Sequence, residues 1–231
     1  MAKRLFIFLT LLAVAAMFFD FASHFRPADK LSPLAEHYVA EGPQELGAAN
    51  LVTAVVVTYR GLDTLGEVTV LFLSAAGVGL LLAGRRKRED AEPQEDLHPS
   101  SELVQTAVQF LLPIAMLFGV YIFVNGHLTP GGGFQGGAVI ASGTLLLFLA
   151  LPNAKLHHGI MGELESFSGF GYVLVGLLGI FLAGGFLDNR FLPLGDFGRL
   201  LSAGAMPLIY VLIGLKVGTE LSVVLERFKG E

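Results

Sequence analysis

The 231-residue sequence contains no cysteine and no tryptophan, and only 15% of its residues are charged. Soluble proteins average about 25% charged residues, so this shortage argues against a soluble enzyme. Without cysteine, the chain can supply no thiolate nucleophile, no ligands for an iron–sulfur cluster and no Cys-ligated zinc. The formal net charge of −5 and the absence of a basic face with interleaved aromatic residues argue against nucleic acid as a partner.

Apolar residues (53%) and glycine (29 of 231) dominate instead. About 20 predominantly apolar residues cross a bilayer as a helix, so we expect an all-α, polytopic membrane protein with six transmembrane helices. A seventh apolar stretch, Ala48–Tyr59, is too short to span and is expected to form an interfacial or re-entrant helix closed by Arg60 and Gly61. The fourth span is short and could begin inside the glycine run before it. The six predicted spans are Leu5–Ala22, Thr64–Ala83, Leu103–Val124, Gly137–Leu151, Phe167–Leu187 and Leu200–Leu225.

The distribution of Lys and Arg predicts the orientation, because these residues concentrate in cytoplasmic loops. With a cytoplasmic N-terminus, nine of the fifteen basic residues lie inside, five lie outside, and Lys216 lies within a span. We therefore expect both termini to be cytoplasmic in the cell membrane. A signal peptide cleaved near Ala15 is an alternative for the first span, but the apolar run continues to Phe21. The inside residues are Lys3, Arg4, Arg85, Arg86, Lys87, Arg88, Lys155, Arg227 and Lys229.

Charged residues between the second and third spans divide the chain. Four consecutive basic residues, Arg85–Arg88, are followed by acidic residues and two prolines, which is typical of a solvated cytoplasmic linker. We expect a two-span half over residues 1–84, a linker over 85–102 and a four-span half over 103–231.

Charged residues inside an apolar span carry a free-energy cost, so each requires an explanation. Lys216 lies near the middle of the sixth span, and Glu220 follows four residues later on the same helix face. The two form either a buried ion pair that only joins helices or a titratable pair in a proton or cation path. Gly214 and Gly218 beside them favour close packing of another helix.

Asp63 and Glu67 lie one turn apart at the outer end of the second span. Asp63 is typical of a residue that caps a helix, since acidic groups favour the first turn. Glu67 lies deeper in the apolar run than a cap requires, which favours a role in binding protons or cations.

Three other polar positions are expected to have no functional role. Asp20 is interpreted as a residue at the membrane interface, and Asp188 with Arg190 as a surface turn. The pair His157–His158 has no partner at metal-ligand spacing and is expected in a solvated loop. We therefore predict neither a metal site nor a cofactor.

A glycine-rich turn, Gly126–Gly137, joins the third and fourth spans. Pro130 ends the preceding segment, three consecutive glycines permit close approach of the backbone, and Phe134 supplies an apolar anchor. No Gly-Lys-Ser/Thr follows, which excludes a phosphate-binding P-loop.

This turn resembles the signature of the B-type component (MnhB family) of the multisubunit Na⁺/H⁺ antiporters of the Mrp (Mnh) type, and the resemblance extends over Glu102–Glu231. The run from Ala49 to Glu67 is similar to the C-terminal part of the large A-type component of these antiporters. In related membrane-bound hydrogenases that part forms a separate small protein. Tyr59 stands where that family usually has an acidic residue, and Leu62 where it usually has Phe.

The resemblance implies a fusion of two pieces of an antiporter module that other organisms encode separately. It places Glu67 on the ion path and implies that the glycine-rich turn docks neighbouring subunits. Asp63, Lys216 and Glu220 complete the candidate path, the last two from the residues alone. The residues matching the two motifs structurally are Arg60, Gly66, His127, Pro130, Gly131, Gly132, Gly133, Phe134, Gly136 and Gly137.

The predicted function is therefore that of a non-catalytic membrane component of a cation/proton antiporter module, with other module subunits and the lipid bilayer as partners. One alternative is the same module within a ferredoxin-driven, complex-I-like hydrogenase or oxidoreductase. Redox centres would then lie in hydrogenase-type partner subunits. A second alternative is a structural component that acts only in assembly.

Overall fold

The computed structural model describes residues 2–26, 30–89 and 100–229, and this part of the chain is helical without any β-strand. Six of its helices are long and apolar enough to cross a membrane, which confirms the predicted all-α, six-span fold. The short helices and turns lie between the first and second long helices and between the last two. The long helices are α1 (Ala2–His24), α5 (Gly61–Glu89), α6 (Glu102–Val124), α7 (Gly133–Ala150), α8 (His158–Leu182) and α9 (Met206–Phe228).

The residues form two compact units, Met1–Glu36 and His37–Glu231. The first unit contains α1 and the start of α2 (Pro33–Ala40). In the second unit, α3 (Gly42–Leu46) and α4 (Leu51–Thr53) precede a π-helical segment, Ala54–Tyr59. The seventh apolar stretch is therefore helical, as predicted, and ends at Arg60 immediately before α5.

The predicted boundaries were wrong for three spans, the second, the fifth and the sixth. Helix α8 begins at His158 instead of Phe167 and ends at Leu182 instead of Leu187, so Glu163 and Glu165, which precede the predicted span, lie inside the helix. Helix α9 begins at Met206 instead of Leu200, because the backbone turns at Ala203, where φ is 63°. Helix α5 continues to Glu89 through the basic run, and residues 90–99 of the predicted linker lie outside the described residues.

Helix α9 is the central helix of the second unit and packs against α5, α6, α7 and α8. Lipid chains are as apolar as the helices, so transmembrane helices associate through small residues that permit close contact. Gly214 faces the ring of Phe123 on α6, and Gly218 faces Ile140 on α7. These contacts confirm that the two glycines of α9 form a packing face.

Helix α7 begins at Gly133, inside the glycine run, as anticipated for the short fourth span. A Cβ atom added to Gly133 would lie 2.5 Å from Cβ of Ile213, and one added to Gly137 would lie 2.7 Å from Cβ of Val217. The α7 backbone therefore lies directly against α9. The end of the unit that holds residues 125–132 is called the glycine-turn end below, and the other end, where α8 begins, is called the His158 end.

Candidate ion pathway

The buried pair of Lys216 and Glu220 lies in the middle of the second unit. The Lys216 ammonium lies 2.5 Å from Oε1 of Glu220, and the two side chains are 10% and 1% exposed. Nζ of Lys216 also lies 5.2 Å from the centroid of the Phe72 ring on α5. On the α8 side, Gly169 leaves room for the lysine stem. The ion pair predicted between Lys216 and Glu220 therefore forms, and helices α5, α8 and α9 enclose it.

The pairing leaves half of the Glu220 carboxylate without a partner. Its Oε2 atom is buried and has no hydrogen bond within the described residues. A buried charge normally has its hydrogen-bonding capacity filled, so this oxygen is available for a proton or water. Glu165 on α8 interacts electrostatically with Glu220. Sequence reasoning missed Glu165 because the predicted fifth span began two residues after it.

Glu67 lies on α5, nearer the glycine-turn end than Lys216. Its side chain is exposed in this chain, and its carboxylate interacts electrostatically with Tyr172 on α8. Tyr172 is only 1% exposed, and its hydroxyl has no hydrogen-bond partner among the described residues. The structure thus connects Glu67 to the face of α8 that also contacts Lys216, although Glu67 touches neither Lys216 nor Glu220 in the contacts described.

Asp63 lies inside the first turn of α5 and not at the cap, because the helix begins at Gly61. Its Oδ2 atom lies 2.5 Å from Nη2 of Arg60, and both side chains are substantially exposed. Since an exposed ion pair contributes little stability, this contact chiefly fixes the positions of the two side chains. No atom would lie within 4 Å of a Cβ added to Gly66, so this glycine faces open space in the chain.

Asp188 and Arg190 do not form the predicted surface turn. Asp188 is 4% exposed and accepts hydrogen bonds from the Arg190 guanidinium and the Gly184 amide. Arg190 also pairs with Glu45, at 3.0 Å, and Glu45 accepts a hydrogen bond from the Tyr59 hydroxyl at 2.5 Å. Although position 59 holds Tyr where the family usually has an acidic residue, a carboxylate does contact this position. It belongs to Glu45 of α3.

Hydrogen bonds and burial set the protonation states of Asp188 and Tyr59 in this network. Burial alone would raise the pKa of Asp188, but the hydrogen bonds from Arg190 and Gly184 outweigh it and hold the pKa below its usual value. Burial and the bond to Glu45 raise the pKa of Tyr59, which keeps the phenol a neutral donor.

The network borders a cleft of about 480 Å³ at the glycine-turn end. Its walls include both ion pairs, Arg60 with Asp63 and Arg190 with Asp188. Because Asp63 is one helical turn from Glu67, the cleft lies next to the start of the candidate path.

The glycine-rich turn is fixed by residues of the N-terminal half. The side-chain amide of Asn50 donates to the carbonyls of Gly126 and Thr129 at 2.8 and 2.9 Å. The Thr53 hydroxyl also donates to Gly126, at 2.6 Å, and accepts a hydrogen bond from Tyr210 of α9. The turn that we predicted to dock neighbouring subunits is thus anchored largely within its own chain.

His127 and Pro130 lie differently in this turn. His127 is fully buried and its Nε2 atom lies 3.3 Å from the carbonyl oxygen of Arg199. Burial lowers the pKa of His127, against the opposing effect of the Arg199 and Leu200 carbonyls, so the imidazole is a neutral structural group. Pro130 is exposed, and Phe134 packs partly against the core.

Both histidines are exposed, as expected of a solvated pair, but His158 is the first residue of α8 and has an acidic partner. Its Nε2 atom lies 3.7 Å from Oε2 of Glu226, a side chain that is 1% exposed. The other oxygen of Glu226 accepts the Leu156 amide at 2.7 Å. Nearby Lys229 donates instead to the carbonyl of Ala154. In the described ranges, no group of three or more His, Asp or Glu side chains is arranged to hold a metal ion.

Comparison with known proteins gives two family matches. Residues 103–223 match the domain related to the MnhB subunit of Na⁺/H⁺ antiporters. Residues 5–97 match the MbhE family, which is the E component of MBH.

Individual relatives extend over different shares of the chain. An uncharacterised protein of Methanocaldococcus jannaschii is 33% identical over 91% of this chain and 88% of its own length. The B component of the Na⁺/H⁺ antiporter of Bacillus subtilis is 35% identical over 34% of this chain and 54% of its own length.

Two solved structures have a similar fold. A chain of the membrane-bound sulfane sulfur reductase (MBS), an archaeal respiratory membrane complex, matches with a TM-score of 0.79 and 38% identity, over 99% of this chain and 98% of that chain. A chain of the Mrp complex of Dietzia sp. matches with a TM-score of 0.78 and 24% identity, over 99% of this chain and 26% of that chain.

Proposed function

Because the chain belongs to the family related to the MnhB subunit of Na⁺/H⁺ antiporters, we propose that it is a membrane component of a multisubunit cation/proton antiporter module. It is a multi-pass membrane protein, and its work in the module is ion transfer and subunit packing. It performs no catalysis. Any redox chemistry in the parent complex belongs to partner subunits, since this chain has no cysteine to hold a cluster.

The module piece has two parts, over residues 1–84 and 103–231, joined by the linker 85–102. The separate family matches over residues 5–97 and 103–223 support a division of the chain between residues 97 and 103. In the second unit, however, the parts are packed together through the bonds of Asn50 and Thr53 to Gly126. Within the second unit, the fused chain therefore holds segments of both pieces of the module packed against each other.

The observation that carries a transport role is the buried pair of Lys216 and Glu220. An ammonium and a carboxylate at the centre of a membrane protein are costly, and hydrophobic packing could join the same helices without them. Glu220 keeps one oxygen unpartnered among the described residues, which suits a group that gains and loses a proton. Lys216 controls the electrostatic field at that carboxylate, and Glu67 with Asp63 forms the part of the path toward the glycine-turn end.

The test is Glu67→Gln in the purified intact complex, reconstituted in vesicles with a pH-sensitive dye inside. We expect coupled transport to be abolished while the complex assembles normally, because glutamine retains the shape but cannot bind a proton. Glu163→Gln, which changes an exposed glutamate of α8, is the matched control. Normal transport by E67Q would refute the ion path and leave the assembly role.

A second candidate function is the same module within a redox-driven, complex-I-like complex. The match to the sulfane sulfur reductase chain favours it, because both chains are covered almost completely at 38% identity. Identification of the subunits that copurify with this chain separates the candidates: a stand-alone antiporter contains only antiporter subunits, whereas the redox complex adds metal-cluster subunits.

A further inference from the structure

The face of α8 that packs on α9 carries three titratable side chains at a regular spacing. His158, Glu165 and Tyr172 are spaced by seven residues, which is two helical turns or about 10.5 Å per step. Gly169 lies on the same stripe, and its position against the Lys216 stem shows that the stripe faces α9. The series therefore runs from the His158 end to the middle of the protein.

Helix α9 places a carboxylate near two members of this series, His158 and Glu165. Glu226 lies 3.7 Å from His158, and Glu220 interacts electrostatically with Glu165. Glu220 also pairs with Lys216, and Tyr172 interacts electrostatically with Glu67 on α5. Titratable groups thus alternate between two packed helices along the interface.

Three polar atoms on this interface are buried and have no hydrogen-bond partner among the described residues. They are Oε2 of Glu220, Oε2 of Glu226 and the hydroxyl of Tyr172. The two glutamate side chains are each only 1% exposed. Buried polar atoms normally bind water when the protein offers no partner, so these atoms mark where water would join the groups.

We propose that the α8–α9 interface is a proton relay in which Glu165 passes protons between the His158–Glu226 pair and Glu220. This inference rests on the proposed function, since it extends the ion path from Glu220 to the His158 end. A proton bound to the His158 imidazole moves to Glu226, then through water to Glu165 and to Glu220. Each transfer breaks one N–H or O–H bond and forms one, with no electron transferred.

The chemistry of the groups favours protons over a metal cation. Imidazole and carboxylate each bind and release one proton, and a chain of water molecules can bridge a gap of two helical turns. The Lys216 ammonium beside Glu220 repels a metal cation, whereas it assists release of a proton from that carboxylate. His158, 70% exposed, gives the relay access to solvent.

Glu165→Gln in the reconstituted intact complex tests the relay. We expect the initial rate of proton movement to fall by at least about tenfold, since loss of a proton-transfer group costs at least this much. Glu163→Gln is the matched control, because residue 163 lies two positions away on an exposed side of the same helix, and it should transport at the wild-type rate. Glu165→Asp keeps the carboxylate and should recover most of the rate.

His158→Gln tests the access point, with His157→Gln as the control, since His157 precedes α8 and is exposed. We expect H158Q to slow proton movement severalfold and H157Q to have no effect. Equal rates for H158Q and H157Q would overturn the assignment of the access point.

The outcomes separate this inference from the proposed function. A normal rate for E165Q together with a slow E67Q refutes the relay and leaves the proposed function intact. Normal rates for both variants refute the ion-transfer part of the proposed function as well and leave only the assembly role. If E165Q and E165D are equally slow in assembled complexes, or if neither assembles, Glu165 is a structural residue and the relay is refuted.

Discussion

At the scale of single residues, buried charge is the feature that separates this chain from a simple helical scaffold. Removing one partner of a buried ion pair leaves an uncompensated charge at a cost of about 3–5 kcal/mol. Removal of Lys216 would leave the buried Glu220 carboxylate uncompensated in this way. The second oxygen of Glu220 is already without a partner among the described residues. The two interpretations of the pair, packing and transport, therefore predict different effects for its removal.

We expect Lys216→Ala to impair transport and to shift its pH optimum, because the ammonium sets the field at Glu220. Lys216→Met keeps the apolar stem that contacts Gly169 and Phe72 and removes only the charge. The measurement is transport rate against pH in reconstituted complex. If both variants keep the wild-type pH profile, the pair serves only to pack helices.

The buried and partly buried glutamates show which site residues could be identified from the sequence alone. Lys216 and Glu220 were identified because their spacing of four residues places them together on any helix. Glu165 and Glu226 were missed, since their partners lie on other helices. Nothing local distinguishes Glu165 from the exposed Glu163 until α8 is placed against α9.

At the scale of helices, glycine determines how close α7 approaches α9. At motif glycines 133, 136 and 137, added Cβ atoms would lie 2.5, 2.5 and 2.7 Å from side chains or backbone of neighbouring helices. The motif glycines at 133, 136 and 137 thus serve contacts within the chain, which leaves exposed Pro130 and Gln135 as parts of the turn available to a neighbouring subunit.

We expect Gly137→Ala to destabilise the protein by about 1–3 kcal/mol, the usual cost of overpacking. The added methyl would lie 2.7 Å from Cβ of Val217 and 2.9 Å from the backbone nitrogen of Gly218, so α7 must move away from α9. Thermal unfolding of the purified chain in detergent measures the effect.

Gly162→Ala is the control for this prediction. No atom lies within 4 Å of the position of its Cβ, so this change should be neutral or stabilise α8 by up to about 1 kcal/mol. A Gly137→Ala variant as stable as Gly162→Ala would contradict the close contact of α7 and α9.

Some helix boundaries could be predicted from the sequence pattern and others could not. The predicted third span agrees with α6 within one residue, because Ser101 caps the helix and the apolar run begins at once. The start of α9 was misplaced because the left-handed turn at Ala203 depends on its buried environment and not on local composition.

At the scale of the whole molecule, the proposed orientation places both termini and the linker on the cytoplasmic side. The chain has no native cysteine, so a single introduced thiol reports its side of the membrane without background. Labelling intact cells with an impermeant maleimide should modify Asp196→Cys, whose native side chain is 74% exposed, and spare Gln94→Cys in the linker.

Inside-out vesicles provide the reciprocal measurement, in which only the Gln94→Cys variant should react. Labelling of Gln94→Cys from outside the cell would reverse the topology. The relay would then connect the outer surface to Glu220, since its His158 end would face outward.

The sequence by itself determined the class of the protein. Apolar length set the number of spans, the lack of cysteine excluded an iron–sulfur cluster held by cysteines of this chain, and the fixed spacing of Lys216 and Glu220 predicted their pairing. Only the tertiary structure decided which distant groups meet: Glu220 with Glu165, Glu226 with His158, and Glu45 with Arg190. The reason is physical, because hydropathy and helical periodicity are properties of one segment. The rotation and depth of each helix against its neighbours depend on the packing of all of them together.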